Sequence, residues 1–298
     1  MPCTASLVLS SNLKSRNKYL CLNRYVVVDY KKKSTTTQND NQQHKTLRMG
    51  FLREKRYIRF FGHTRKENLI RFNNSKRKVN VLSQKFKVGL VRVVTLKDKA
   101  SINLHGELIE RYYPQLLVES RCIQDQFTGI HDEDTELKAV PKVIKLVKEW
   151  KEIDAVIISC AGDPAVDELR AELSIPVIGA GEATAMLSKR YGKKFGILGI
   201  TDEVPRAYIR EFGDRIVGDC RPEGIYSTLD LMTETGRANV IKKAQELRDL
   251  GAEVIALACT GMSTIGIARE LEKTCNLPVI DPVMAEGLMA YFEFLRRV

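Results

Sequence analysis

A strand, a cysteine, a glycine and a helix follow one another twice in this chain, and that repetition limits the fold more than any other feature. Asp154-Ala155-Val156-Ile157-Ile158-Ser159-Cys160-Ala161-Gly162 leads through a helical segment to Ile175-Pro176-Val177-Ile178. Glu253-Val254-Ile255-Ala256-Leu257-Ala258-Cys259-Thr260-Gly261 leads through another to Leu277-Pro278-Val279-Ile280. The cysteines are 99 residues apart. Lys87-Val88-Gly89-Leu90-Val91 also resembles Lys194-Phe195-Gly196-Ile197-Leu198, at an offset of 107. Runs such as Ala155–Ile158 and Val254–Leu257 are apolar without alternation, so they read as strands covered on both faces. Alternating with helices, they imply parallel sheets sandwiched by helices. A βα half-domain present twice predicts an α/β protein of two similar lobes related by a pseudo-twofold axis, with the active site in the cleft between them.

The formal charge of +11 divides unevenly along the chain. Residues 1–85 carry 20 Lys and Arg against 4 Asp and Glu, a net of +16; the remainder carries 28 against 33, a net of −5. The repeat-bearing part therefore lacks the electrostatic footprint of a nucleic-acid binder. Residues 1–85 are polar and basic with no sustained period and read as a disordered extension. A nucleic-acid-binding arm and an Arg-rich transit segment are the alternatives there. Domains are expected at 86–193 and 194–283, with a helix over 284–298, marked by Leu288, Tyr291, Phe292 and Leu295 at helical spacing, crossing back onto the first lobe. No apolar run reaches the roughly 18 residues of a membrane span, and the N-terminus lacks a secretory pattern, so a cytoplasmic protein is expected. The seven cysteines are odd in number, and no two have the spacing C-x-x-C. Metal-ligand spacing is absent, and reduced thiols are expected.

Cys160 and Cys259 each fall at the carboxyl end of a parallel strand, where ligands of open α/β sheets bind. The helix that follows aims free N–H groups and its positive dipole end at the sulfur. That environment is expected to lower the thiol pKa and to bind a carboxylate or carbonyl oxygen through the backbone at Ala161, Gly162, Thr260 and Gly261. Asp163 is expected to cap the first helix with Pro164 in its first turn, and Ser263 or Thr264 to cap the second. A pseudo-twofold axis would set the two thiols face to face. One could then remove a proton from a carbon and the other return one to the opposite side, with no metal, flavin or pyridoxal.

Ser159-Cys160-Ala161-Gly162-Asp163-Pro164, Ile178-Gly179-Ala180-Gly181-Glu182-Ala183 and Leu257-Ala258-Cys259-Thr260-Gly261-Met262 resemble motifs of the aspartate/glutamate/hydantoin racemase superfamily, hydantoin racemases above all. The resemblance covers about residues 86–298. It implies two Rossmann-like lobes and a cofactor-independent isomerase in which Cys160 and Cys259 are the acid/base pair. The implied substrate is a small carbon acid such as a 5-substituted hydantoin or an amino acid, and a homo-oligomer is expected. The chain departs from the hydantoin racemase pattern at Ala161, at Thr260 and at Arg92-Val93-Val94-Thr95. A maleate-isomerase-like or decarboxylase-like enzyme of the same fold stays open, as does a non-catalytic binding protein whose basic arm contacts nucleic acid.

Among other residues, Arg92 and Thr201 lie at strand ends facing the cleft and are candidate substrate contacts. His105 and His131 read as helix-surface or loop residues. Cys122, Cys220 and Cys275 read as structural, and Glu182 as a charge favouring a helix dipole.

Overall fold

The computed structural model describes residues 85–298 throughout and, within the first 84, four short strands. The expectation of an unpacked extension over residues 1–85 otherwise lies outside the described residues. β1 (Tyr19–Leu22) pairs antiparallel with β2 (Tyr25–Val28), and β3 (Tyr57–Phe60) with β4 (Asn68–Arg71). Met1–Lys76 forms one unit and Arg77–Val298 another.

The larger unit begins with β5 (Phe86–Arg92), α1 (Lys99–Tyr112), β6 (Leu116–Cys122), α2 (Glu133–Lys148), β7 (Ala155–Ser159), α3 (Val166–Glu172) and β8 (Val177–Gly179). It continues through α4 (Ala180–Ser188), β9 (Phe195–Leu198), α5 (Arg206–Phe212), β10 (Ile216–Val217), α6 (Glu234–Asp249) and β11 (Val254–Leu257). α7 (Thr260–Thr264), α8 (Ala268–Cys275), β12 (Val279–Ile280) and α9 (Pro282–Leu295) complete it. Two parallel four-stranded sheets result, ordered β6-β5-β7-β8 and β10-β9-β11-β12. The second order repeats the first strand for strand, as the duplicated sequence requires.

Side-chain chemistry starts several of the helices. Asp98 accepts from the Ser101 N–H at α1, and Asp132 and Thr135 form a reciprocal capping box at α2. Asp281 accepts from Val283 and Met284 ahead of α9, with Pro282 in the first turn. On one face of the first sheet Val91, Val156 and Ile158 pack under Val143, Val147 and Leu169 of α2 and α3. On the other face Val88, Leu90 and Ile157 meet Ile109 of α1 and Val283, Ala290 and Phe294 of α9. α9 thus covers the first sheet, although it follows the last strand of the second. α4 does the converse: it follows the last strand of the first sheet, yet Ala185 joins Phe195, Ile197, Tyr208 and Phe212 on the second. By packing, the chain passes to the second sheet at α4, inside the segment 86–193. The repeated glycines have one physical reason. A Cβ on Gly89 would lie 3.0 Å from the Trp150 ring, and one on Gly196 would lie 3.0 Å from Leu247 Cβ, so both strands need the close approach of a helix end.

Candidate active site

β7 and β11 are both buried along their whole length, and each delivers a cysteine to its carboxyl edge. Cys160 is partly exposed and Cys259 is buried. The two strand ends touch: the Thr260 hydroxyl donates to the Ser159 carbonyl at 3.3 Å. The Gly162 N–H points at the Cys160 sulfur, and the Gly261 and Met262 N–H groups point at Cys259. These donors do not produce the lowered pKa expected from sequence. Burial pushes the Cys160 thiol up to about 12 against the pull of Gly162, and the nearby Cys259 sulfur adds to the rise. Burial takes Cys259 to about 11, opposed by Gly261, Met262 and the charge of Arg92. Desolvation outweighs the helix-end donors and favours the neutral thiol at both positions.

The loop after Cys160 departs from the expected capping. α3 starts at Val166 behind Ala165, and both Asp163 and Ala165 have positive φ, 55° and 63°. The Asp163 carboxylate turns away from α3 and accepts from the Gly181 and Glu182 N–H groups of α4 at 2.8 and 2.6 Å. Burial raises its carboxyl to about 7 against those two donors. Asp163 therefore caps α4, because the left-handed turn aims its side chain at the neighbouring helix. Pro164 lies in the loop before α3, outside its first turn. At the second cysteine, Cys259 itself occupies the N-cap of α7 with no side-chain cap. Ser263 is inside that helix and donates to Asp281 at 2.8 Å.

Among the other candidates, the Ala161 side chain is buried in the second-lobe core, so only its backbone is left to line a site. Gly162 and Gly261 sit beside their sulfurs: a Cβ on Gly162 would lie 3.9 Å from the Cys160 sulfur, and one on Gly261 would lie 3.3 Å from that of Cys259. Arg92, at the end of β5, is buried; its Nη1 donates to the Ser101 and Ile102 carbonyls at 2.7 and 3.5 Å. Its other N–H donors find no acceptor among the described residues, while its charge is felt at Cys259, Cys122 and Glu286. Thr201 donates to the Glu203 carbonyl at 2.6 Å and makes no hydrogen bond to either cysteine loop among the described residues. A separate cavity of about 330 Å³, lined by Asp219, Arg221, Tyr226 and Lys243 among others, includes neither cysteine. Among the described residues no cluster of His, Cys, Asp and Glu has the makings of a metal site, and no helix is long and apolar enough to cross a membrane.

Sequence reasoning misplaced His105. It has no exposed surface, and its Nδ1 lies 2.8 Å from Ser159 Oγ and its Nε2 2.9 Å from Thr264 Oγ1. Ser159 Oγ in turn donates to Glu286 Oε1 at 2.8 Å. Glu286 is fully buried on α9, its Oε2 has no partner, and burial holds its carboxyl well above the usual range. An acid set between Ala285 and Gly287 in an apolar helix was the one signal that could have exposed this group.

Two lobes of repeated topology with a thiol at each matching strand end define an α/β protein of the two-cysteine kind. The family model of Asp/Glu/hydantoin racemases matches residues 93–286, and the chain belongs to that family. It is 33% identical over 149 residues to a hydantoin racemase of Paenarthrobacter aurescens, covering 46% of this chain and 62% of the relative. It is 29% identical over 160 residues to a hydantoin racemase of Pseudomonas sp. (strain NS671), covering 50% and 63%. The matches thus span less than two thirds of the length of these curated relatives. The crystal structure of an allantoin racemase from Pseudomonas fluorescens superposes with a TM-score of 0.61 at 22% identity, covering 71% of this chain and 92% of that one. It shares the fold.

Proposed function

We propose that the chain is a cofactor-independent racemase that inverts a carbon acid of the 5-substituted hydantoin type, with Cys160 and Cys259 as its acid/base pair. The observation that carries this reading is the meeting of the two strand ends through Thr260 and Ser159, each with a thiol under backbone N–H groups. Once one thiol has lost its proton to solvent, its thiolate accepts the proton on the carbon next to the ring carbonyl, leaving an enolate. The other thiol donates its proton to the opposite face of that carbon, and the two sulfurs finish with exchanged protonation states. Cys259 is the easier to ionise, having two N–H donors and the Arg92 charge beside it. The unengaged donors of Arg92 and the N–H groups at Gly162 and Gly261 would hold the developing oxyanion. The resemblance to proteins named hydantoin racemases supports a hydantoin over a free amino acid as substrate.

The test is chiral chromatography with solvent-deuterium incorporation over a panel of hydantoins. Cys160→Ala and Cys259→Ala should each lose at least about a hundredfold in interconversion of both enantiomers. Each variant should keep exchange of one enantiomer only, opposite in the two. Full racemisation by either folded variant would sink the two-thiol reading.

A further inference from the structure

A neutral imidazole has one donor and one acceptor, so a fully buried histidine is tolerable only when both nitrogens are answered. Those of His105 are answered by hydroxyls from different lobes. Ser159 ends β7 immediately before Cys160, and Thr264 ends α7, the helix that Cys259 caps. The ring therefore spans from the strand end of one thiol to the helix of the other. The Thr260–Ser159 hydrogen bond is a second tie between the same two segments. Ser159 is held from behind by Glu286 of α9. In the arrangement where Ser159 donates to Glu286, Nδ1–H donates to Ser159 and Nε2 accepts from the Thr264 hydroxyl.

We propose that His105 is a positioning residue that sets the spacing between Cys160 and Cys259, its Nδ1 holding the first thiol and its Nε2 the second. Its value to catalysis rests on the two-thiol reading above. Two groups that must reach opposite faces of one carbon tolerate little drift, since a misplacement of about 1 Å costs about a hundredfold in rate. His105 touches neither sulfur in any hydrogen bond, so its loss should act on kcat far more than on KM.

The two nitrogens can be removed separately. Asn carries its amide near the place of Nδ1, so His105→Asn keeps Ser159 and releases Thr264. His105→Gln reaches the place of Nε2 and does the reverse. Iodoacetamide labelling, read by peptide mass spectrometry at each cysteine, needs no substrate. His105→Asn should change the labelling rate of Cys259 by about fivefold or more while Cys160 stays within about twofold, and His105→Gln should reverse the pattern. Thr264→Val, close in shape and free of the ring, should act like His105→Asn. With an active hydantoin in hand, the same variants should lower kcat about ten- to a hundredfold with KM within about threefold. A protein that labels as stated but racemises no substrate would remove the functional reading and leave the positioning role standing. Equal changes at both thiols in folded Asn, Gln and Val variants, or none, would overturn the positioning role. Should the His105 variants fail to fold, a Thr264→Val protein with unchanged Cys259 labelling would overturn it alone.

Discussion

Glu286 is the residue whose chemistry differs most from its surface average. It lies under the first sheet with one oxygen on Ser159 and the other unpartnered. Burial raises its carboxyl well above its ordinary 4.5, and the Ser159 hydroxyl and the Arg92 charge only partly oppose this. A carboxyl raised on folding holds its proton in the native state. Its contribution to stability is complete below about pH 4.5 and is lost as pH rises toward the native value. Asp163, raised to about 7 from 3.8, adds the same sign between those values. Glu286→Gln keeps the acceptor for Ser159 and removes the ionisation. Urea unfolding should therefore show the variant gaining on the wild type between about pH 5 and about pH 8. A constant difference across that range would mean that Glu286 is ionised in the folded protein.

At the scale of elements, α4 ties the Cys160 loop to the second sheet. Its first turn is capped by Asp163, and the Gly181 backbone runs against the Ala161 carbonyl. A Cβ on Gly181 would collide with that carbonyl, which is backbone and cannot swing aside. Gly181→Ala should destabilise the protein by about 1–3 kcal/mol, whereas Met186→Ala on the exposed side of the same helix should stay within about 0.5 kcal/mol. Equal urea midpoints for the two variants would show that the loop after Cys160 yields to the methyl. α2 gives a milder lesson. Leu137 lies within α2 but is 67% exposed, because the buried stripe runs through Ala139, Val143 and Val147.

For the whole molecule, the exchange of α4 and α9 means that neither sheet is complete without the other lobe's chain segment. The cleft residues are therefore carried by one cooperative body, Arg77–Val298. A chain starting at Arg77 is expected to unfold at the same urea midpoint as the full chain and to keep the proposed racemase activity within about twofold. Loss of activity in a folded Arg77–Val298 protein would move function into the basic segment and favour the binding-protein alternative.

The repeated apolar runs were enough to determine two parallel sheets, because a strand buried on both faces has few other environments. The same repeat placed Cys160 and Cys259 just past the carboxyl ends of matching strands, since chain order alone puts a residue following such a strand at that edge. Tertiary structure decided what no local pattern records. Asp163 caps α4 instead of α3 because a left-handed turn redirects it. The thiols sit at about 12 and 11 because burial in the packed lobes outweighs their helix-end donors. His105 became a bridge because Ser159 and Thr264, 105 residues apart in the chain, arrive on either side of one ring. Local sequence carries the propensity of each element; the distances between elements, and hence desolvation and hydrogen-bond partners, exist only once the lobes have closed on each other.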